Sequence, residues 1–232
     1  MNAAMKPFFP LVVLLLAACS SAPKPADWQL EAKGSMDRSV AAYLEGNSRI
    51  DAAEMTRARA QLSRSGRADL LANAELLHCA ARVASLVFEP CIGFETLRAD
   101  ALPEQLAYAD YLHGQAKASD VALLPAPQRA LTTGSAAAPG AADSLSRLVA
   151  AGVLMQTAQA SPAVITQAID TASSQGWRRP LLAWLGVQAL RAEQAGDAAE
   201  AARLRRRIAL VERAGQTAPP LPSPISSTPK AP

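Results

Sequence analysis

The stretch Leu70-Leu71-Ala72-Asn73-Ala74-Glu75-Leu76-Leu77-His78-Cys79-Ala80-Ala81-Arg82-Val83-Ala84-Ser85-Leu86 is the most apolar helix-forming segment of the chain. Its apolar side chains recur at helical spacing along two stripes rather than one. The stripes are Leu70, Ala74, Leu77, Ala81 and Ala84, and Ala72, Leu76, Cys79, Val83 and Leu86. A helix that is apolar around much of its circumference is buried among other helices. We therefore predict that a helix from about Arg67 forms the centre of the fold.

The composition favours helices throughout. Alanine, leucine, arginine and glutamine favour helix, whereas clusters of β-branched residues are sparse and aromatic residues make up only 4% of the chain. The net charge of +3 is too small to suggest a nucleic-acid partner. We expect an all-α protein built of antiparallel helical hairpins.

Two shorter helices are predicted before the central one. The first covers about Ser35 to Glu45 and is stopped by Gly46-Asn47. The second begins at Asp51, where Asp51 as N-cap and Glu54 three residues later form a capping-box pattern. Its apolar stripe is Met55, Ala58 and Leu62, and Gly66 ends it.

Several helices are predicted after the central one. Pro103 opens a helix that ends at Gly114. Residues 115–142 carry the weakest pattern, because prolines and glycines interrupt it, and they predict only a short helix near Pro127 to Leu131. The last four helices are predicted to begin at Asp143 or Ser144, at Ser161-Pro162, at Pro180 and at Asp197, and the final one ends at Gly215.

The N-terminus carries a short apolar run that ends in a cysteine. Lys6 precedes the run, and Ala17-Ala18-Cys19 follow it, which is the layout of a secretory signal. Leu16-Ala17-Ala18-Cys19 resembles the lipobox of bacterial lipoproteins. The resemblance implies that residues 1–18 are removed and that Cys19 carries a diacylglycerol and an N-linked acyl chain such as palmitate. The alternative is an ordinary signal with a coincidental cysteine.

The lipoprotein resemblance also implies a location and a layout. Ser20 stands where the enteric sorting rule places Asp in proteins of the inner membrane, so we expect a lipid anchor on the periplasmic face of the outer membrane. Two or three acyl chains hold a protein stably on a membrane. The expected layout is a signal peptide (1–18), a lipidated tether (19–34), a helical domain (35–215, with a weak break near 115–142) and a disordered, proline-rich tail (216–232).

One short segment occurs twice. Asp51-Ala52-Ala53-Glu54 and Asp197-Ala198-Ala199-Glu200 are each followed by Arg-x-Arg in the same register. Around the second copy, Leu185, Ala189 and Ala201 resemble the small-residue spacing of tetratricopeptide repeats. The resemblance implies a short solenoid of helical hairpins, although alanine or arginine stands where that family has tyrosine or phenylalanine. The alternative is that alanine-rich hairpins match by composition.

Cys79 and Cys91 are the two cysteines besides Cys19. An oxidising compartment favours a disulfide between them; the alternative is a pair of buried free thiols. Bonded Cα atoms lie within about 7 Å of each other, and if the helix continued to Phe88 the next three residues would have to double back almost completely to meet that limit. We therefore predict that the central helix ends or kinks near Ser85 and that the chain doubles back over it.

No residue pattern marks an active site. His78 and the spaced pair Asp110 and His113 lack a neighbouring nucleophile and are predicted to be flank or surface residues. No glycine-rich phosphate loop or metalloprotease motif is present in the sequence. Three glutamates also lack the flanking pattern of a glycosidase acid: Glu89, Glu95 and Glu104. We expect no catalytic residue, no metal and no cofactor.

The densest charge is a basic set in the last predicted helix. Its candidate binding residues are Arg203, Arg206 and Arg207, together with Arg205 and Arg213, and the earlier pair Arg178-Arg179 is a candidate to enlarge the patch. Such a patch binds acidic lipid headgroups, lipopolysaccharide phosphate or an acidic partner. The alternative is the solvated side of an amphipathic helix.

These observations predict a non-catalytic scaffold or adaptor that is held on the membrane by its lipid. It would bind a protein partner in envelope assembly or maintenance through a groove between hairpins, and it would not bind nucleic acid. Two alternatives remain open: an envelope enzyme such as a peptidoglycan hydrolase with an unrecognised site, and a carrier of lipid or lipopolysaccharide.

Overall fold

The computed structural model describes residues 25–132 and 143–216, which form helices joined by turns, with no strand in these two ranges. The prediction of an all-α fold is confirmed. The helices are α1 (Asp27–Glu45), α2 (Ser48–Ser63), α3 (Ala68–Ala84), α4 (Ile92–Glu95), α5 (Pro103–Leu112), α6 (Ala126–Thr132), α7 (Ser144–Gln156), α8 (Pro162–Ser174), α9 (Arg178–Gln194) and α10 (Ala198–Gln216). Two 3₁₀ turns cover Arg98–Asp100 and Ala118–Leu123.

Helices that follow one another form antiparallel hairpins, and α3 lies between two groups of them. The first hairpin is α1 with α2, and the last group is α7, α8, α9 and α10, each packed on the next. The helix α3 packs against α1 and α2 on one side and against α5 and α7 on the other. The predicted central position of this helix is confirmed.

The main core surrounds α3 and the C-terminal helices. Trp184, Leu148 and Ile165 are fully buried in it. The indole Nε1 of Trp184 donates a hydrogen bond to the carbonyl oxygen of Ala84 at 3.0 Å, so a carbonyl left open at the end of α3 is satisfied. This bond joins α9 to the end of the central helix.

At one point α7 and α3 approach closely. A Cβ atom at Gly152 would lie 2.3 Å from the carbonyl oxygen of Val83. Only a residue without a side chain fits at that distance. Gly152 therefore sets the spacing of the two helices.

Three helix starts differ from the predictions. The first helix begins at Asp27 rather than near Ser35, because Trp28 and Ala32 pack in the cluster of Met55 and Leu62. Residues 27–34 are therefore helical rather than tether. The capping-box prediction at Asp51 is wrong, since Asn47 is the N-cap of α2 and its side chain accepts a bond from the Ile50 amide at 3.3 Å. The helix α9 begins at Arg178, two residues before Pro180.

The predicted end of the central helix and two predicted N-caps are confirmed. The central helix stops at Ala84, and Leu86 adopts a left-handed conformation with φ of 59°. The chain then turns back, and Cys79 is linked to Cys91 by a disulfide with Cα atoms 5.9 Å apart. Asp143 and Ser161 cap α7 and α8 with their side chains. The predictions for the signal peptide and Cys19, for residues 20–24, for 133–142 and for the tail at 217–232 lie outside the described residues.

Candidate functional site

The last helix presents a basic outer face. Its inner side is formed by Ala201 and Leu204, which are buried against the preceding hairpin. Four exposed side chains follow one another along the opposite side at helical spacing: Arg203, Arg206, Leu210 and Arg213. We name these four residues the basic face. Leu210 is 62% exposed in the middle of it.

The predicted arginines do not all belong to this face. Arg203 makes two bonds of 2.6 Å with the Glu200 carboxylate, one turn away. Arg207 is directed toward α8, where it donates to the Ser173 hydroxyl at 3.2 Å. Arg206 is exposed and has no ion pair within the described ranges. The structure thus replaces the predicted set of Arg203, Arg206 and Arg207 by a face that leaves out Arg207 and includes Arg213.

Arg178 and Arg179 do not enlarge this patch. Arg178 Nε donates to the carbonyl oxygen of Glu45 at 3.1 Å, and Arg179 Nε donates to that of Tyr43 at 2.7 Å. The Arg179 guanidinium also lies 4.2 Å from the centre of the Tyr43 ring. Two cations at the start of α9 therefore lie at the end of α1, where the helix dipole is negative. Arg178 supplies a partner to the Glu45 carbonyl, and Arg179 adds a second bond to the Tyr43 carbonyl, which also accepts the Gly46 amide at 3.0 Å.

A polar cluster is buried between the first hairpin and α3. The Ser39 hydroxyl donates to Asp51 Oδ1 at 2.7 Å, and His78 Nε2 lies 3.0 Å from the same oxygen. Burial raises the pKa of Asp51, but the hydrogen bonds from His78 and Ser39 outweigh burial and lower that pKa overall. In a hydrolytic triad the serine hydroxyl bonds to the histidine. Here it bonds to the carboxylate, so the imidazole does not activate it.

A second buried carboxylate joins α2 to α3. Arg59 binds Glu75 through two bonds of 2.6 and 2.8 Å. The backbone of Gly93, just after the disulfide, lies directly against this carboxylate, because a Cβ atom there would fall 2.0 Å from Glu75 Oε2. The pair therefore also supports the turn that follows Cys91.

Four of the five remaining candidate acids and bases have structural partners, and the fifth, Glu104, is exposed. Glu95 accepts a hydrogen bond from Arg98 at 2.7 Å, which lowers its pKa. A glycosidase acid needs a raised pKa instead. Glu89 pairs with Arg82, and Glu104 is exposed on α5. Asp110 lies 3.6 Å from Arg98, and His113 Nδ1 lies 2.9 Å from the carbonyl oxygen of Ala109.

Two cavities between the described helices are small. One of about 250 Å³ lies beside Tyr111, Val153 and Thr157, and another of about 280 Å³ lies beside Ile165 and Gln188. Sites for small molecules usually measure about 300–1,000 Å³. The described ranges hold no group of three or more His, Cys, Asp or Glu side chains arranged for a metal ion. In the same ranges, no helix combines the length and the apolar character that crossing a bilayer requires.

No family model, curated protein or solved structure matches this chain.

Two features of the sequence could have revealed what the predictions missed. Arg213 lies ten residues after Arg203, which is nearly three helical turns and places both on one face. Asp51 lies four residues before Met55 and seven before Ala58, so it belongs to the apolar stripe of that helix. A carboxylate on a buried stripe indicates an internal partner.

Proposed function

We propose that this chain is a bacterial lipoprotein that acts as a non-catalytic scaffold or adaptor on the periplasmic face of the outer membrane. The observation that carries the proposal is the lipobox pattern Leu16-Ala17-Ala18-Cys19 shortly before a domain of helical hairpins. A protein partner in envelope assembly or maintenance would bind the domain. Stacked hairpins suit this role because they offer extended surfaces.

The internal ties of the domain support a scaffold role. The first and last hairpins are joined by Arg178 and Arg179, and the loop after α3 is held by the Cys79–Cys91 disulfide. Rigid elements present their surface residues at fixed positions, which lowers the entropy lost when a partner binds. An oxidising compartment, as proposed, maintains such a disulfide.

Cell fractionation tests the anchor. A Cys19→Ser variant is expected to leave the membrane pellet, because the only attachment point for the lipid is removed. A Cys91→Ser variant, which also loses one cysteine, is the matched control and should stay in the pellet. The proposal fails if the Cys19→Ser variant sediments with the membranes as the parent does.

A second substitution tests the choice of membrane. In an enteric host, Ser20→Asp should move the protein from the outer-membrane to the inner-membrane fraction of a density gradient, and Ser21→Asp should not. Crosslinking in cells followed by purification tests the adaptor role. Recovery of the protein without any stoichiometric partner would contradict it.

A further inference from the structure

The basic face of α10 is left open by the rest of the domain. Arg203, Arg206 and Arg213 are exposed around Leu210, and α10 is the last described helix. Within the described residues, Arg206 and Arg213 have no ion pair, while Arg203 shares Glu200. Two uncompensated charges and an exposed leucine therefore face away from the domain.

The segment that follows α10 in the sequence carries no acidic side chain. Residues 217–232 follow α10 directly, and they contain Lys230 but no Asp or Glu. The nearest acidic groups on α10 itself are Glu200, already paired with Arg203, and Glu212. An anionic partner from outside the chain fits the basic face better than the tail does.

The proposed anchor holds the domain near a membrane, so the inference rests on the proposed function. The eight residues from Cys19 to Ala26 reach at most about 29 Å when fully extended. A helix of 19 residues such as α10 is about 28 Å long. Ala26, at the start of the domain, therefore cannot lie farther from the bilayer than about one helix length, and a weak attraction between the domain and the bilayer becomes effective.

We propose that the basic face binds the anionic phosphate headgroups of the membrane that carries the anchor. The arginines contact lipid phosphates, and Leu210 enters the interfacial layer between them. A single convex helix face has no groove for an extended peptide, whereas a plane of phosphates matches it. The domain would then lie with α10 against the bilayer and with the first hairpin free for a protein partner.

Arginine modification tests this arrangement on the mature, lipidated protein. The protein is placed in nanodiscs of phosphatidylcholine alone or of phosphatidylcholine with phosphatidylglycerol, and phenylglyoxal modification is followed by mass spectrometry. Modification of Arg206 and Arg213 should slow about fivefold on the anionic discs, since each arginine near an anionic surface strengthens binding by about that factor. Arg49, exposed on the first hairpin at the end away from Ala26, serves as the internal control with an equal rate on both lipids.

Matched variants sharpen the test. Arg206→Gln should return the modification rate of Arg213 close to its rate on phosphatidylcholine alone, because a loss of binding of about fivefold cancels a protection of about fivefold. Arg49→Gln, with the same charge change, should leave the protection unchanged. High salt should remove the protection. Equal rates on the two lipids, in protein that is still anchored, would overturn the proposal. Protection that occurs only in native membranes holding other proteins would also overturn it, since the face would then bind a protein. If the proposed lipid anchor is wrong, the protein will not assemble into the nanodiscs at all, and this outcome is seen before any modification is measured.

Discussion

The first and last hairpins contain the same tetrapeptide, Asp-Ala-Ala-Glu, in different structural positions. Asp51 lies inside α2, one turn after the N-cap Asn47. Asp197 is itself the residue before α10, and its side chain accepts a hydrogen bond from the Glu200 amide at 3.0 Å. One copy is part of a buried cluster, and the other begins a helix at the surface.

The glycine before each helix explains the difference. Gly46 and Gly196 both adopt left-handed conformations, with φ of 87° and 74°, and each ends the preceding helix. The next residue is free to cap the following helix. That residue is Asn47 in the first hairpin and Asp197 in the last, so these two residues are structurally equivalent. The tetrapeptide begins at the cap residue in the last hairpin but four residues after it in the first. The position of the turn, rather than the shared tetrapeptide sequence, determines where each helix begins.

The register decides the surroundings of the carboxylates. Asp51 is 7% exposed and contacts Ser39 and His78, and Glu54 binds Arg38 at 3.0 Å. Asp197 is exposed, and Glu200 pairs with Arg203 at the surface. The same residues therefore join helices in one hairpin and only start a helix in the other.

Removal of the buried carboxylate should have the largest effect. Asp51→Ala leaves the Ser39 hydroxyl and the His78 ring without their acceptor, and it is expected to lower the free energy of unfolding by about 3 kcal/mol. Urea unfolding followed by circular dichroism measures the change. A loss no greater than that of Asp197→Ala would show that the two copies are equivalent after all.

Acid should weaken the first hairpin through the same residue. The pKa of Asp51 is lowered in the folded protein, so its contribution is complete above the unfolded pKa of about 4 and is lost as the pH falls through the folded value. The stability difference between wild type and Asp51→Asn should therefore shrink on going from neutral pH to strongly acidic pH. A difference that stays constant over this range would contradict the assignment.

The two true caps should be equivalent. Asn47→Ala and Asp197→Ala each remove one side-chain bond to the first turn of a helix, and each should cost about 1 kcal/mol. Thermal unfolding of the two variants side by side measures this. If Asn47→Ala has no effect, α2 begins elsewhere and the register described above is wrong.

The smallest effect is expected at the surface pair of the last hairpin. Glu200 and Arg203 are both solvated, and exposed ion pairs contribute little to stability. Glu200→Gln should leave the unfolding midpoint unchanged within error. Its matched partner is Glu54→Gln in the first hairpin, which should lower the midpoint because Glu54 binds Arg38 and Arg57.

Local signals in the sequence predicted most of the helices. Ser161-Pro162, Asp143 and Gly196-Asp197 define helix starts through bonds within one turn, and all three starts agree with the structure. The start of α1 was misplaced, because Pro23, Pro25 and Gly34 indicate irregular chain. The packing of Trp28 and Ala32 on α2 outweighs that tendency, and such packing is not visible in a local pattern.

The candidate site was predictable only in part. The arginines of α10 stood out as a cluster, but their individual directions depend on Ser173 and Glu193 in neighbouring helices. The role of Arg178 and Arg179 was missed, because their acceptors lie more than 130 residues earlier in the chain. No local spacing encodes a contact across that distance.

The link from Arg178 and Arg179 to α1 has a consequence for the order of folding. Contacts between distant parts of a chain form late, since the intervening loop must close first. A chain that emerges from its N-terminus completes α1 long before either arginine appears, and the carbonyl of Glu45 meets water until then. A nascent chain halted before residue 178 would thus hold an unfinished first hairpin, which only the arrival of α9 completes.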